Sequence, residues 1–483
     1  MPDEVELKLT LTARDANTLE AAGLLTGTPT KAQQKSIYFD TSDHHLRKAG
    51  ISLRIRRSGR KRVQTVKAID TLSAGLFARR EWERAVADDR PIVDATTPLP
   101  ALLDHPGSTL GPVFVINVER RAWNVIESGS RIELVLDRGD VVAGDRLSPI
   151  CEAELELKSG EPAALFTFAR KLNAAAPVRL GVQTKAERGY ALIAPAVKAH
   201  KAEPIFLSHD LTAAQAFQHI VCSCLRHFRL NEDLFLLGHS PDALHQARVA
   251  LRRLRSAFSI FKALLDDGVN AGLRNGLRWL AMEIGEARSI DALLERAPPG
   301  ELRDHLETAR ESACTRIEMI LGSARVGSLM LDLAQLTTSG SLLGAAADKR
   351  VQSVGAFASD ALDRFHHKVK TDGRDLAEAG DQARHEVRKD TKTLRYASEF
   401  FATLFNRKRD RRRYKHFISA LQDVQDKLGL LNDMAAAPAV LAGLGPGNAA
   451  GEMDRLFPDA KEKMLDAAAE DHAALMDAAR FWR

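Results

Sequence analysis

EVELKL, residues 4–9, is the stretch on which the fold turns: Glu4, Glu6 and Lys8 alternate with Val5, Leu7 and Leu9. In a β-strand successive side chains point to opposite faces, so the three charges share one face and the three aliphatics the other. One such strand is ordinarily half-solvated. The pattern recurs, however. Arg54 and Arg56 alternate in LRIR, Thr65 and Lys67 in QTVK, Arg79, Glu81 and Glu83 in RREWE, and Glu133 and Asp137 in IELVLD. CEAELELK repeats the opening almost whole with Glu152, Glu154, Glu156 and Lys158. Acids collect on some strands and bases on others, which solvated faces do not usually do. Closed into a barrel with these faces inward, the acids can hold divalent cations while arginines and lysines surround a polyanion. Such an interior must be wet and functional, because unpaired charges buried there are prohibitively costly. The aliphatic faces then pack outward, beneath the amphipathic helices expected at ARDANTLEAAGLL and EPAALFTFARKLNAAA.

The chain has 483 residues, is 45% hydrophobic and carries a net charge of +5. That length supports several domains with real cores, and the small net charge leaves any case for anionic partners to local patterning. There is neither a basic-then-apolar leader nor a run long enough to span a bilayer, so a cytoplasmic protein with no membrane partner is expected. Cys151, Cys222, Cys224 and Cys314 have neither zinc-ligand spacing nor a disulfide framework and receive no role. Near residue 200 the character changes. Before it lie short Val/Ile/Thr/Phe segments punctuated by Gly and Pro; after APAVKAHKAEP come long Ala/Leu/Arg stretches with helical spacing. Residues 1–200 therefore read as a mostly β domain and 205–483 as a helical one, joined by a linker around 195–204.

The helical half contains an internal repeat. HQARVALRRLR places His245, Arg248, Arg252 and Arg255 at the spacing with which HEVRKDTKTLR places His385, Arg388, Lys392 and Arg395. At helical pitch each set forms one basic stripe, beside an apolar face of Leu251, Leu254, Phe258 and Phe261 or of Leu394, Phe401 and Phe405. Ser240-Pro241 and Asp381 are helix starts, so each histidine sits early in its helix, at the dipole end that favours anions. A solvated basic face is the ordinary explanation for either helix alone, and the duplication argues against it. A weaker echo links IGEARSID (284–291) to LGLLNDM (428–434). The basic run RKRDRRRYKH (407–416) adds Arg412, Lys415 and His416 as candidate extensions of the basic surface. Few aromatics interleave with these stripes, so nucleic acid fits them poorly.

Taken in order, Glu4-x-Glu6-x-Lys8, YFDT (38–41), LRIR, QTVK, ELELK and TKAERGY (184–190) resemble the CYTH domain of the triphosphate tunnel metalloenzymes. RRAW, LDRG and AERGY bring the likeness nearest to its bacterial inorganic triphosphatase branch. The helical repeat with its two glycine motifs resembles the CHAD domain, with Ser289 standing where an acidic residue is expected. The resemblance implies an α+β multidomain protein: an N-terminal eight-stranded antiparallel β tunnel barrel with covering helices, then an all-α domain of two pseudo-symmetric helical bundles. It implies hydrolysis of inorganic triphosphate with Mg²⁺ or Mn²⁺, and binding of inorganic polyphosphate by the helical domain, with a location in cytoplasm or at polyphosphate granules. Carried over by motif, Glu4, Glu6, Glu154 and Glu156 are metal ligands, with Asp137 and Glu81 as helpers. Lys8, Arg54, Arg56, Lys67, Arg79, Arg120, Lys158, Lys185 and Arg188 bind phosphates, Arg121 being the alternative to Arg120. Glu4, Glu6, Lys8 and Lys67 form the catalytic set, and a lysine of lowered pKa is an option as general base. A protein that mainly sequesters polyphosphate, or a tunnel enzyme acting on ATP or thiamine triphosphate, is the alternative.

Overall fold

The computed structural model describes residues 4–68, 74–103, 109–265, 267–338, 351–443, 449–457 and 461–483. The chain divides into two compact units, Met1–Lys198 with Leu321–Ser339, and Ala199–Ile320 with Gly340–Arg483. No helix among the described residues is long and apolar enough to cross a membrane.

Among the described residues the first unit is built on ten antiparallel strand segments: β1 (Glu4–Thr10), β2 (Thr30–Asp40), β3 (Ile51–Ser58), β4 (Lys61–Ala68), β5 (Leu76–Arg79), β6 (Glu81–Ala85), β7 (Gly111–Glu127), β8 (Ser130–Ala143), β9 (Arg146–Ser159) and β10 (Arg179–Leu180). Pairing runs β1-β9-β8-β7-β2-β3-β4-β6, and β5 pairs back onto β1. Only Arg80 separates β5 from β6, so Leu76–Ala85 acts as one strand that passes from β4 to β1. This closes a ring of eight strands, as expected, with β10 added beside β1. Closure removes the unpaired edges an open sheet would present.

Alternation sorts the two faces of the ring. Leu7, Leu9 and Leu155 are fully buried on the outside, where the Ala163–Ala175 helix, itself burying Leu165, Phe166, Ala169 and Leu172, packs on β1 and β9. At Gly139 of LDRG, where β8 pairs with Val118, a Cβ would stand 1.9 Å from the Asn117 carbonyl oxygen, so no side chain fits. Asp40 of YFDT anchors the wall. Its carboxylate accepts from the backbone amides of Thr41 (2.8 Å), Leu46 (2.9 Å) and Arg47 (3.1 Å), and from the hydroxyl of Tyr190 (2.6 Å). Tyr190 belongs to the Lys185–Ile193 helix, whose N-cap Thr184 forms a reciprocal capping box with Glu187. These bonds fix the helix that carries Lys185 and Arg188.

The second unit is helical, with major helices at Ala213–Gly238, Pro241–Ile260, Asp267–Leu294, Glu301–Leu321, Val354–Asp372, Asp381–Phe401, Lys408–Ala442 and Lys461–Asp477. Its internal symmetry is visible where two equivalent helices begin. N-caps Thr212 and Ser353 form an antiparallel bridge, Ala213 donating to the Gln352 carbonyl (2.9 Å) and Val354 to that of Leu211 (3.0 Å). The apolar stripes of the repeat meet in one aromatic core, with Phe261 stacked on Phe357 at 4.5 Å and 5.9 Å from Phe401.

Candidate functional site

The ring encloses a cavity of about 560 Å³ whose wall is charged almost throughout. Register arranges the inner face of three neighbouring strands in layers. Glu6 lies opposite Glu156 and Glu156 opposite Glu133; one step deeper come Lys8, Glu154 and Val135; below them Thr10, Glu152 and Asp137. Arg54, Arg56, Lys67, Glu81, Glu83 and Arg120 line the same cavity. The side chains of Glu4 and Arg79 lie outside the described residues, although their backbones pair.

The two adjacent arginines resolve cleanly. Arg120 enters the cavity and grips Asp137 in two-pronged fashion (Nε to Oδ1 2.8 Å, Nη2 to Oδ2 2.6 Å), reaching Glu154 at 3.2 Å. Arg121 faces the other way, to Glu20 (3.0 Å) and Glu119 (2.8 Å). Arg54 reaches the Tyr38 hydroxyl at 3.4 Å, and Lys67 pairs with Glu81 at 2.9 Å. Lys158 bridges Glu156 (2.7 Å) and Glu133 (3.1 Å).

At the closed end the carboxylates of Asp137, Glu152 and Glu154 lie within 4.8 Å of one another, a spacing that could suit a metal ion. Their centre already holds a cation. The Lys185 ammonium stands 2.5 Å from Glu152, 2.8 Å from Asp137 and 2.9 Å from Glu154. Glu152 is the one carboxylate of ELELK's strand that motif carry-over omits, though its place in the 152/154/156 alternation was the available signal. Arg188 lies farther off, 3.7 Å from Glu152.

Burial alone would lower the Lys8 and Lys185 pKa values, but the surrounding carboxylates outweigh it. Lys8 is raised by Glu154 and Glu6, and Lys185 well above its ordinary value by Asp137, Glu152 and Glu154. Conversely, burial would raise Asp137 and Glu154, yet Lys185 with Arg120, and Lys185 with Lys8, hold them low. For these two lysines the neighbouring carboxylates therefore favour the ammonium form.

The second unit holds a basic cleft. Arg248, Arg252 and Arg255 from one repeat helix and His385, Arg388 and Lys392 from the other line a cavity of about 610 Å³. His245 lines an adjoining cavity of about 170 Å³ with Arg248, Arg252 and Arg388. Lys262, Arg274, Arg278 and Lys368 join the larger cavity without any motif to announce them. Three expected residues fall elsewhere: Arg412, Lys415 and His416 line neither cavity. Arg395 does not line them either, and instead pairs with Glu399 (2.9 Å) and Gln425 (3.3 Å).

Charge crowding in this cleft is severe. Burial, then Arg252, Arg388 and Arg248, push Lys392 down to about 5, with Asp433 opposing. Burial followed by Arg288, Arg252 and Arg248 lowers His245 to about 4, and burial followed by Arg252 and Arg388 lowers Arg248 to about 10. Both glycine motifs sit here. Arg248 donates to the Gly285 carbonyl (2.8 Å), where a Cβ would meet its Nη1 at 3.3 Å, and Gly429 faces Arg388. Ser289 turns back onto Gly285 (3.1 Å), whereas its counterpart Asp433 faces the cations.

Two family profiles match the chain: CYTH domain over residues 2–190 and CHAD domain over 219–442. An inorganic triphosphatase of Haemophilus influenzae is 35% identical over 162 residues, which are 32% of this chain and 44% of that protein, so the match spans less than half of the relative. Among solved structures, the CHAD domain from Ricinus communis is 28% identical (58% of this chain, 93% of that one, TM-score 0.45). HpAC1 from Hippeastrum, for which a dominant triphosphatase activity is described, is 21% identical (39% and 95%, TM-score 0.30). The β ring thus carries a CYTH domain match over residues 2–190, and the helical region a CHAD domain match over 219–442.

Proposed function

We propose that the ring hydrolyses inorganic triphosphate with Mg²⁺ or Mn²⁺ and that the helical cleft binds inorganic polyphosphate. The observation that carries the first half is the inward array: carboxylates concentrated on β1, β8 and β9 face Arg54, Arg56, Lys67 and Arg120 across one cavity. A pure polyanion binder gains nothing from carboxylates, whereas a phosphohydrolase needs both signs. Glu6, Glu156 and Glu133 form a set of hard oxygen donors on three adjacent strands and would hold the divalent ion, with Glu4 as the sequence suggests. When bound, such an ion neutralises phosphate oxygens and acidifies a coordinated water. The Asp137, Glu152 and Glu154 group fits an ion less well, because Lys185 fills it.

The chain's own part is placement and charge. Arg54, Arg56, Lys67, Arg120 and Lys158 would cradle the phosphates, and the ammonium forms of Lys8 and Lys185 add fixed positive charge as the terminal phosphoryl departs. Arg188 stands behind them at the closed end. Tyr38 is the one aromatic in the described lining, and its ring is stacked on Phe114 at 4.6 Å. A wall so polar provides little for an adenine or thiazole ring to pack against, which favours inorganic triphosphate over ATP or thiamine triphosphate. Cytoplasm, or a polyphosphate granule within it, is the location this reading suggests.

Phosphate release from triphosphate, pyrophosphate, ATP, thiamine triphosphate and long polyphosphate, with and without Mg²⁺, tests it. Triphosphate should be preferred and the metal required. Equal turnover of ATP, or metal-independent release, would overturn the assignment.

A further inference from the structure

The Ala324–Thr338 helix lies inside the sequence matched as CHAD, yet it is a structural part of the β unit. It buries Val326, Leu329, Met330, Leu333 and Leu336 and docks on the Ala163–Ala175 helix that covers the ring. Arg170 donates to Asp332 through Nε (3.0 Å) and Nη2 (2.7 Å) at the rim of this contact.

At its centre is Asn173, 2% exposed. Its amide nitrogen donates to the Ala324 carbonyl (2.8 Å) and the Ser328 hydroxyl (3.0 Å), and its oxygen accepts from the Val178 amide (3.1 Å). Gly327 makes the close approach possible, since a Cβ there would stand 2.3 Å from the Asn173 oxygen and 2.7 Å from the Val178 carbonyl oxygen. Val178 leads directly into β10, which pairs with Leu9 and Thr10 of β1. The next residue, Gly181, donates to the Lys8 carbonyl (2.8 Å), and a Cβ on it would touch the Lys8 Cβ at 3.0 Å. Four residues later comes Lys185, in its nest of three carboxylates.

We propose that Gly327 and Asn173 are positioning residues of the β ring: the docked helix sets the height of segment 178–185, and through it the seats of Lys8 and Lys185. The consequence for catalysis rests on the triphosphate reading above; the mechanical coupling does not. The segment has little slack. Val178, Leu180 and Val182 are each at most 2% exposed and Gly181 is wedged against Lys8, so a displaced helix cannot be absorbed locally.

The test uses the full chain carrying Gly327→Val, with Ser328→Ala plus Asp332→Ala as a gentler variant that removes docking bonds without a clash. Amide hydrogen exchange is read at β1, Gly181 and the Lys185–Ile193 helix without substrate, and triphosphate KM and kcat with it. Exchange at Gly181 should rise at least ~10-fold in Gly327→Val and less in the double variant, since a displaced support lowers the local opening free energy. Triphosphate KM should rise about 5-fold or more with a smaller change in kcat, as expected when two phosphate-binding cations are misplaced. Unchanged exchange at Gly181 in folded variants would overturn the coupling. Faster exchange with unaltered triphosphate kinetics would overturn the positioning role. An unmodified protein with no triphosphate turnover would instead sink the functional reading, leaving the exchange arm to decide the coupling.

Discussion

Lys392 should take up a proton when polyphosphate enters the helical cleft. In the anion-free protein its amine is pushed down to about 5 by burial and by Arg252, Arg388 and Arg248. At pH 7 an amine of that pKa is about 1% protonated, so the cleft's central lysine is almost wholly neutral. Phosphate oxygens between Arg252 and Lys392 reverse the electrostatics and return the pKa toward its ordinary range. Binding at pH 7 then takes up about one proton at Lys392 and a further ~0.2 at His245, whose pKa is about 4 when free, if the anion restores it to about 6.5. The sign follows from the depressed free-state pKa. Affinity falls as pH rises above about 5, by up to tenfold per pH unit for this one group, until the bound-state pKa is passed. Calorimetric titration of the full chain with long polyphosphate, in buffers of different ionisation enthalpy, measures the uptake. A folded Lys392→Met variant should show about one proton less than the parent. Buffer-independent heats, or the same uptake in the variant, would refute the reasoning.

Glu6→Gln or Glu156→Gln should lower triphosphate turnover by about 10²-fold or more while leaving polyphosphate retention within about twofold, because the carboxylates serve the ring alone; parallel loss of both in a folded variant would contradict separate sites. Arg252→Ala with Lys392→Ala should weaken polyphosphate binding and reduce the dependence of log K on log salt by about one to two units, measured by titration at several salt concentrations. Arg395→Ala and Arg412→Ala should each leave that affinity within about twofold, since both lie outside the cleft; a tenfold loss in either would place the anion elsewhere.

Which features were legible depended on how local their cause was. EVELKL and ELELK announce inward charge because alternation is a property of the strand itself, and the observed register places Glu6 opposite Glu156 and Lys8 opposite Glu154. The His/Arg stripes were legible because duplication filtered out chance. Arg395 misled, since a matching offset fixes the angle on a helix but not how far a cleft extends along it. Arg274, Arg278 and Lys368 were invisible: the first two share the Asp267–Leu294 helix and the third lies on Val354–Asp372, both outside the repeated stripes and brought to the cleft by packing alone. Lys185 in its nest of carboxylates unites three regions of the chain, so a cluster with metal-like spacing could not be told from an internal ion pair without coordinates. The allegiance of the Ala324–Thr338 helix was hidden for the same reason. A fragment cut at residue 205 would carry that helix without the Asn173 seat it needs.

The reciprocal bridge at Thr212 and Ser353 has a consequence for what the cleft can distinguish. A linear polyphosphate reads the same from either end, and a receptor made of two equivalent halves accepts it in both directions with nearly equal strength. Interior units of the chain are also alike, so moving along by one phosphate exchanges like contacts for like. With polyphosphate as its guest, such a cleft would hold it without assigning a polarity or a fixed register, and a long chain would be able to creep through while remaining bound. Asp433, facing the cations where the other half has Ser289, and Arg395, paired with Glu399 where the other half sends Arg255 into the cleft, break that symmetry and are where a preferred direction would arise.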